Sequence, residues 1–243
     1  MKRRAGITLI ELLIAVSLLS LLTAGVLAAL RLGMNALAKT QGWLAHNRRV
    51  AATQRILEQQ IAGFIPVFAE CRPQLDQPPV RIPFFQGEPQ TMRFVSGFSL
   101  GQAWRGYPQI LEFQVVPIAP GEGVRLVVNE RMYTGPASAG SACAGLAPEP
   151  EIGLPVPRFV PVEVGPYSFV LADRLAHCRF AYKEELPPPV RERWVPRWIR
   201  SQWPAAIRVE MTPLERGAVH LRPLTLVAPV RINRLVTEVY GDW

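Results

Sequence analysis

The chain has 243 residues, a formal net charge of +8 and 49% hydrophobic residues. This length suits one soluble domain together with a membrane segment, and it leaves little room for two full catalytic domains. Three of the positive charges precede an apolar run, as Lys2, Arg3 and Arg4, and the remaining excess is spread along the chain. A dispersed excess of this kind is typical of a solvated surface, so we do not expect a nucleic-acid partner.

The first predicted element is an apolar helix with a carboxylate near its start. Residues 12–30 carry no charge, and as a helix these 19 residues would extend roughly 28 Å, enough to cross a bilayer core. The basic residues before them predict that the N-terminus stays in the cytoplasm and that the rest of the chain is exported. An ionisable side chain at the centre of a membrane segment costs roughly 3 kcal/mol, and less near an end. Glu11 therefore has a functional role, or it lies at head-group level and is merely tolerated.

Three kinds of processing fit this N-terminus. A secretory signal peptide could end at a small-x-small site over residues 36–38, but the apolar run is longer than the about 7–15 residues of such peptides. An uncleaved anchor fits the hydropathy equally well but leaves Gly6 and Glu11 unexplained. The third possibility is a prepilin-type leader.

That possibility depends on the stretch RRAGITLIELLIAVSLLSLL, which resembles the leader and N-terminal helix of type IV prepilins and type II secretion pseudopilins. The shared pattern is a short basic leader ending in glycine, an apolar first mature residue, a glutamate fifth in the mature chain, and a long apolar run. The resemblance implies that a prepilin peptidase cuts between Gly6 and Ile7 and methylates the amine of Ile7, although phenylalanine is commoner at that position.

The resemblance also implies a role for Glu11. In filaments of this class, the glutamate pairs with the N-terminal ammonium of a neighbouring subunit. An unpaired carboxylate is strongly disfavoured in a low dielectric, whereas a paired one is partly compensated. Glu11 would then be an assembly residue and not a catalytic acid.

Beyond the apolar run, the helix is predicted to continue as an amphipathic helix to residue 65. Apolar residues such as Leu44, Leu57 and Ile61 recur near a seven-residue spacing, while charged residues occupy other faces. The expected organisation is a leader over residues 1–6, a helix over residues 7–65 that is transmembrane over residues 7–30, and a globular head over residues 66–243.

The head is predicted to be antiparallel β-structure. Polar and apolar side chains alternate over residues 124–128 and 208–211, as in half-buried antiparallel strands, and the 24 prolines favour short strands and loops. Residues 135–166 are predicted to form a long surface loop. The candidate strands are 91–96, 110–116, 123–133, 167–172, 177–183, 205–211 and 219–227. The predicted class is α+β, with a long N-terminal helix packed on an antiparallel β-rich head, which is also the pilin-like fold that the resemblance implies.

Residues 191–203 carry Trp194, Trp198 and Trp203 among several arginines. One interpretation is an aromatic and basic platform for single-stranded nucleic acid or a lipid surface. The favoured one is an insertion that packs its tryptophans onto the sheet with the arginines stacked or solvated.

The order HCRFAYK, a tryptophan-bearing connection, then WPAAIRVEM is similar to the distal strands of the J-type minor pseudopilin. The helix stretch NRRVAATQRILEQQI extends this similarity over most of the chain. Glu11 is a departure from the K-type minor pseudopilin, which lacks that acid, and the long β-rich head is less like the small major pseudopilin.

No pattern of catalytic or metal-binding residues stands out. A nucleophile elbow and a recognisable cysteine–histidine context are both absent from the sequence. Carboxylate pairs at 149/151 and 184/185 are expected to lie in solvated loops. The histidines are scattered, at His46, His177 and His220. We therefore expect no enzyme activity, no cofactor and no metal; some pseudopilins bind calcium, but no motif here allows their ligands to be transferred.

The three cysteines lack the C-x-x-C spacing of zinc or redox motifs. In an exported domain one disulfide is expected and one thiol is left over, but the sequence does not decide which of Cys71, Cys143 and Cys178 pair.

The resemblance implies a minor pseudopilin that assembles near the tip of the type II secretion pseudopilus and supports protein export across the outer membrane. Its partners would be the I-type and K-type minor pseudopilins, the major pseudopilin and the prepilin peptidase. It would first be a single-pass protein of the bacterial inner membrane with its C-terminal domain in the periplasm. Two alternatives are a minor pilin of a type IV pilus used for adhesion, motility or DNA uptake, and a membrane-anchored periplasmic enzyme.

Overall fold

The computed structural model describes residues 9–74, 76–101, 105–189, 191–214 and 223–231, without the side chains of residues 38–51 and 105. Two compact units divide the chain, Met1–Arg48 and Arg49–Trp243. A long N-terminal helix is followed by a head built on an antiparallel sheet, so the predicted α+β, pilin-like architecture is confirmed.

The N-terminal helix, α1 (Leu9–Ala62), is rich in leucine and alanine and contains no proline. It ends short of the predicted end at residue 65, because Gly63 begins a sharp change of direction. The Gly63 N–H closes the last turn onto the Gln59 carbonyl at 2.9 Å, and the Gly63 carbonyl accepts the N–H of Gly97 at 2.8 Å. A Cβ at position 63 would stand 2.6 Å from Phe98, so this close approach requires glycine.

The head contains thirteen strands and one short helix. In chain order they are β1 (Phe64–Ile65), β2 (Phe68–Cys71), β3 (Val80–Pro83), β4 (Gln86–Gly87), β5 (Thr91–Phe98), β6 (Arg105–Pro117), β7 (Val124–Met132), α2 (Pro136–Gly140), β8 (Cys143–Pro148), β9 (Pro155–Phe159), β10 (Phe169–Glu185), β11 (Glu192–Val195), β12 (Ala206–Pro213) and β13 (Leu224–Pro229).

Nine of these strands form one antiparallel sheet. Its order is β1-β5-β6-β7-β10-β12-β13, with β4 beside β5 and β11 beside β10. The separate pairs β2–β3 and β8–β9 form two small sheets. Each predicted strand falls on an observed one, except that residues 219–222 of the last lie outside the described residues.

The expectation of short strands is wrong for β6 and β10, which have 13 and 17 residues. The predicted strands 167–172 and 177–183 are two halves of β10. Register shifts at Val170/Ala172, Ala172/Leu175 and Leu175/His177 interrupt its alternation, and Arg174 has a φ of 54°. Bulges of this kind bend a strand without ending it, so the pattern resembled two strands.

The prediction of a surface loop over residues 135–166 is also wrong. This stretch forms α2 and the β8–β9 hairpin. A Cβ at Gly140 would lie 2.1 Å from the carbonyl oxygen of Glu70 in β2. The small residues of this stretch therefore allow close backbone packing. In the sequence alone, such a run of small residues is typical of a low-complexity loop.

On one face the large sheet packs against the end of α1, and around β5 and β6 its other face packs against β2 and α2. On the first face, Leu57 and Ile61 of α1 are fully buried among aromatic side chains that include Phe94 and Phe113. A second cluster joins β2, α2 and the sheet, and its buried members are Val67, Ala69, Phe84, Val95, Ile110, Ala139 and Ala142. The last turns of α1 thus belong to the core of the head, as the amphipathic pattern predicted.

Candidate functional site

The most exposed apolar surface of the described chain is the N-terminal part of α1. The most apolar 18-residue window within Leu9–Leu37 has a mean hydropathy of 2.4, and no residue of Leu9–Leu37 is buried. By length and composition this segment can cross a membrane. Leu9, Leu21 and Leu32 are each more than 70% exposed. A soluble monomer rarely carries so large an apolar surface, so this helix requires lipid or other helices around it.

The hydroxyl groups of this segment are satisfied within the helix. Ser17 donates to the carbonyl of Leu13, Ser20 to that of Val16 at 2.7 Å, and Thr23 to that of Leu19 at 2.9 Å. Such bonds to the preceding turn remove the polar cost of placing a hydroxyl in lipid. The surface between Leu9 and Leu30 therefore presents hydrocarbon with one charged exception.

That exception is Glu11, which lies exposed in the first described turn of α1. Helical spacing places Ile14, Ala15 and Leu18 on the same face, so its immediate surroundings are apolar. Among the described residues, Glu11 has no hydrogen-bond or ion-pair partner. Its carboxylate thus lies on a lipid-like surface and remains available to a group from outside this part of the chain. Gly6 and Ile7, the predicted processing site, lie outside the described residues.

In the head, the tryptophans of residues 191–203 pack against the protein. Trp203 is 8% exposed, and its ring meets that of Phe68 edge-on at 5.9 Å. Trp198 packs on the core, and the guanidinium of Arg208 lies 4.7 Å from the ring centroid of Trp194. The interpretation of a packed insertion is therefore confirmed for the tryptophans, whose rings contact other side chains of the head.

Three of the four arginines of the same segment are engaged in ion pairs. Arg197 lies between two carboxylates, with its Nη1 2.9 Å from Glu149 and its Nε 3.3 Å from Glu88. Arg193, at 2.7 Å, and Arg200 both pair with Glu184. These intramolecular pairs weaken the interpretation of the segment as a platform for phosphates.

Two carboxylates expected in solvated loops are in fact buried. Glu149 is 6% exposed and Glu184 is 8% exposed. Hydrogen bonds from Arg200 and then Arg193 keep the pKa of Glu184 below its ordinary value, against the opposing effect of burial. The burial of Glu184 could not be predicted from the sequence, because the two arginines that compensate it are 9 and 16 residues away along the chain.

The cysteines pair as Cys71 and Cys143, which links β2 to the start of β8. Cys178 is free, and burial raises the pKa of its thiol to about 12. A thiol with this pKa is almost entirely protonated at neutral pH, so it is a poor nucleophile.

Nothing in the described part of the head forms a catalytic set. Its described residues contain no group of three or more His, Cys, Asp or Glu placed to hold a metal ion. His177 contacts Thr212 at 3.1 Å, the side chain of His46 is not described, and His220 lies outside the described residues. A cavity of ≈ 230 Å³ near Ile82, Phe85 and Trp198 has mainly apolar walls, and its described lining residues include no histidine or cysteine.

Comparison with protein families finds the prokaryotic N-terminal methylation motif at residues 1–27. The match supports a type IV pilin or pseudopilin, and it implies processing by a prepilin peptidase and assembly with other pilins. Together with the apolar helix it indicates membrane anchoring. A comparison with curated proteins finds no significant match to the chain.

Proposed function

We propose that the chain is a minor pseudopilin, a non-enzymatic subunit that assembles near the tip of a type II secretion pseudopilus and supports protein export across the outer membrane. The observation that carries the proposal is the position of Glu11, the single charged side chain between Leu9 and Leu30 on an apolar segment of α1 that has no buried residue. The methylation motif over the same residues supports this role.

Processing comes first. The leader over residues 1–6 is removed between Gly6 and Ile7, and the new amine of Ile7 is methylated. The protein then stays in the inner membrane through the start of α1, with the head over residues 66–243 in the periplasm. The disulfide between Cys71 and Cys143 supports an oxidising compartment for the head, because such bonds rarely persist in the cytoplasm.

Assembly follows from the energetics of the helix. Exchanging lipid for other apolar helices yields little hydrophobic free energy, because lipid tails are as apolar as leucine. A carboxylate in that environment is costly until it is paired. If Glu11 pairs with the N-terminal ammonium of the neighbouring subunit, only the correct axial register relieves this cost, and the charge pair selects that register.

The distal part of the head is the reason for preferring a pseudopilin to a type IV pilin. β10, the tryptophan-bearing link with β11, and β12 follow one another as in the J-type minor pseudopilin, which favours I-type, K-type and major pseudopilins as partners. The rival is a minor pilin of a type IV pilus. Its DNA-uptake form would need unpaired exposed cations, whereas three of the four arginines of residues 191–203 are paired with Glu88, Glu149 and Glu184.

The test is intact mass and N-terminal sequencing of the full chain made with and without an active prepilin peptidase. A chain that begins at methylated Ile7 only when the peptidase is active is the expected result. A start at Met1 or Lys39 in both cases would overturn the proposal and favour an anchored or exported domain. Pull-downs of the processed protein with I-type and K-type pseudopilins, and with type IV pilus subunits as the matched comparison, then separate secretion from pilus function.

A further inference from the structure

We propose that the free edge of β13 is covered by the residues that follow it in the chain, and that residues 235–240 form an additional strand there. This inference goes beyond the proposed function and does not depend on it. β13 is the last strand in the order of the large sheet, and β12 is its only partner in the part of the chain that the structure describes. Val227, in the middle of β13, is 51% exposed.

The direction of the backbone groups shows which hydrogen bonds this edge offers. The Val230 N–H donates to the Ala205 carbonyl at 2.9 Å, in register with the β12–β13 pairing. Because backbone groups alternate in direction along a strand, the even-numbered residues of β13 point theirs toward β12 and the odd-numbered residues point theirs outward. Thr225 and Val227 therefore present their N–H and carbonyl groups to the free edge. Pro229, which has no N–H, is also at an outward-facing position, where an edge strand tolerates proline.

Apart from Pro229, this edge lacks the features that keep an exposed strand from pairing. Protected edges carry charged side chains, bulges or a covering segment. Residues 223–230 contain no charged side chain. The β12–β13 pairing also runs from Ala206 and Pro229 to Met211 and Leu224 without a shift in register, so no bulge bends β13 away. The outward-facing backbone groups of β13 therefore favour a covering strand.

The segment directly after β13 has the length and composition of that strand. Residues 235–240 read LVTEVY, and four of the six are valine, threonine or tyrosine, which favour strands. The connection over residues 230–234 is within the two to five residues of hairpin loops and contains Asn233, a common turn residue. A short tether gives an effective concentration in roughly the millimolar range, so this segment outcompetes a strand from another protein at lower concentration.

The charges of the segment also suit a new edge strand. Glu238 places a carboxylate within it, and Arg234 and Asp242 stand on either side. Charged side chains on an edge strand oppose further strand pairing. The segment therefore replaces the uncharged edge of β13 with a charged one, so that neighbouring heads do not join through their sheets.

Hydrogen exchange resolved to single amides tests the inference in the full chain in detergent. The amides of Thr225 and Val227 should exchange at least about tenfold more slowly in the wild type than in a variant that combines Val236→Pro with Thr237→Pro. Two adjacent prolines remove an N–H that faces β13, whichever of the two positions points that way. The amides of the even-numbered residues of β13 are the internal control, because β12 bonds them in both proteins. Asp242→Pro, outside the segment, should leave all of these rates unchanged.

A photo-crosslinking amino acid in place of Val227 provides the second arm. The expected product is an intramolecular adduct with residues 235–240, mapped by mass spectrometry. The matched control is the same amino acid in place of Val170, which is also 51% exposed but lies on β10. Its adduct with residues 235–240 should form in a yield lower by about fivefold or more, because proximity sets the yield.

Fast exchange of the Thr225 and Val227 amides in the wild type, or protection that persists in the double-proline variant, would overturn the inference. An adduct from position 227 with another protein, and none with residues 235–240, would overturn it as well. If the even-numbered amides of β13 also lose protection in the variant, the prolines have disrupted β13 itself. The crosslink from position 227 then decides, since the intramolecular adduct supports the inference and its absence overturns it.

Discussion

The backbone N–H of Trp198 donates a hydrogen bond to the carbonyl of Gly87 at 2.7 Å. This bond ties the tryptophan-bearing link to β4, while β11 at the start of that link pairs with β10. The link is thus fixed at two separate strands of the sheet. The indole N–H of Trp198 also bonds within the link, because it donates to the carbonyl of Gln202. These contacts explain why a segment rich in tryptophan and arginine behaves as part of the core.

The close approach at Gly87 leads to a first prediction. A Cβ there would lie 2.7 Å from Trp198, 2.8 Å from Phe85 and 2.9 Å from Tyr182. Gly87→Ala should therefore lower the free energy of unfolding of the head by about 1–3 kcal/mol, through overpacking. Chemical denaturation of the full chain in detergent, followed by tryptophan fluorescence, measures it. Gly97→Ala is the control, because its nearest neighbour would be at an ordinary 3.5 Å; equal losses for both variants would contradict the steric argument.

The pairing of Glu184 predicts a pH dependence of stability. Hydrogen bonds from Arg200 and Arg193 lower the pKa of Glu184 below its ordinary value of 4.5. A carboxylate with a depressed pKa in the folded state stabilises the protein fully above that ordinary pKa, and the contribution is lost as the pH falls below about 4.5. Glu184→Gln should thus destabilise the head at pH 7 and flatten this part of the stability profile.

We expect the loss at pH 7 to be about 1–2 kcal/mol, because the side chains of Arg193 and Arg200 are 52% and 33% exposed and water screens both pairs. Denaturation midpoints between pH 3.5 and 7 measure the effect. Glu185→Gln is the matched control, since Glu185 is the exposed neighbour on β10. If Glu184→Gln lost as much stability as the wild type when the pH falls from 7 to 3.5, another titrating group would be the cause of that loss.

The disulfide leads to a third prediction. Cys71 and Cys143 are 72 residues apart, so the bond closes a long loop and restricts the unfolded chain. In the chain-entropy account, Cys71→Ala combined with Cys143→Ala should lower the free energy of unfolding by up to about 4 kcal/mol. Reductant should destabilise the wild type but not the double variant, because Cys178 has no partner. Thiol titration should find one reactive group, and only after unfolding, since Cys178 is buried; a thiol that reacts in the folded protein would contradict this assignment.

The sequence predicted the features that depend on local patterns. The apolar helix and the seven candidate strands could be predicted from composition, alternation and spacing. The features it missed depend on contacts between distant residues. The bulges of β10 interrupt its alternation, so the sequence pattern indicated two strands. Gly140 is predicted to lie in a loop, because its close contact with β2 cannot be seen in the sequence. The pairing of Cys71 with Cys143 depends on how the fold brings β2 and β8 together. The burial of Glu184 likewise depends on arginines that reach it only through the β10–β11 pairing and the link that follows.

Glu11 leads to the last prediction, which concerns function. Glu11→Leu makes the helix more apolar, so the variant should enter the membrane at least as well as the wild type and should still be cut between Gly6 and Ile7. It should fail to enter fibres, because no carboxylate remains to pair with the ammonium of a neighbour.

Ser20→Leu is the matched control. It also replaces a polar residue of the span by leucine, but the Ser20 hydroxyl is already bonded to the Val16 carbonyl of the same helix. The measurement is the amount of processed protein in the sheared fibre fraction relative to the membrane fraction. We expect at least about a tenfold loss for Glu11→Leu and little change for Ser20→Leu. Normal incorporation and secretion with Glu11→Leu would remove the charge pair from the assembly mechanism and favour the anchored enzyme.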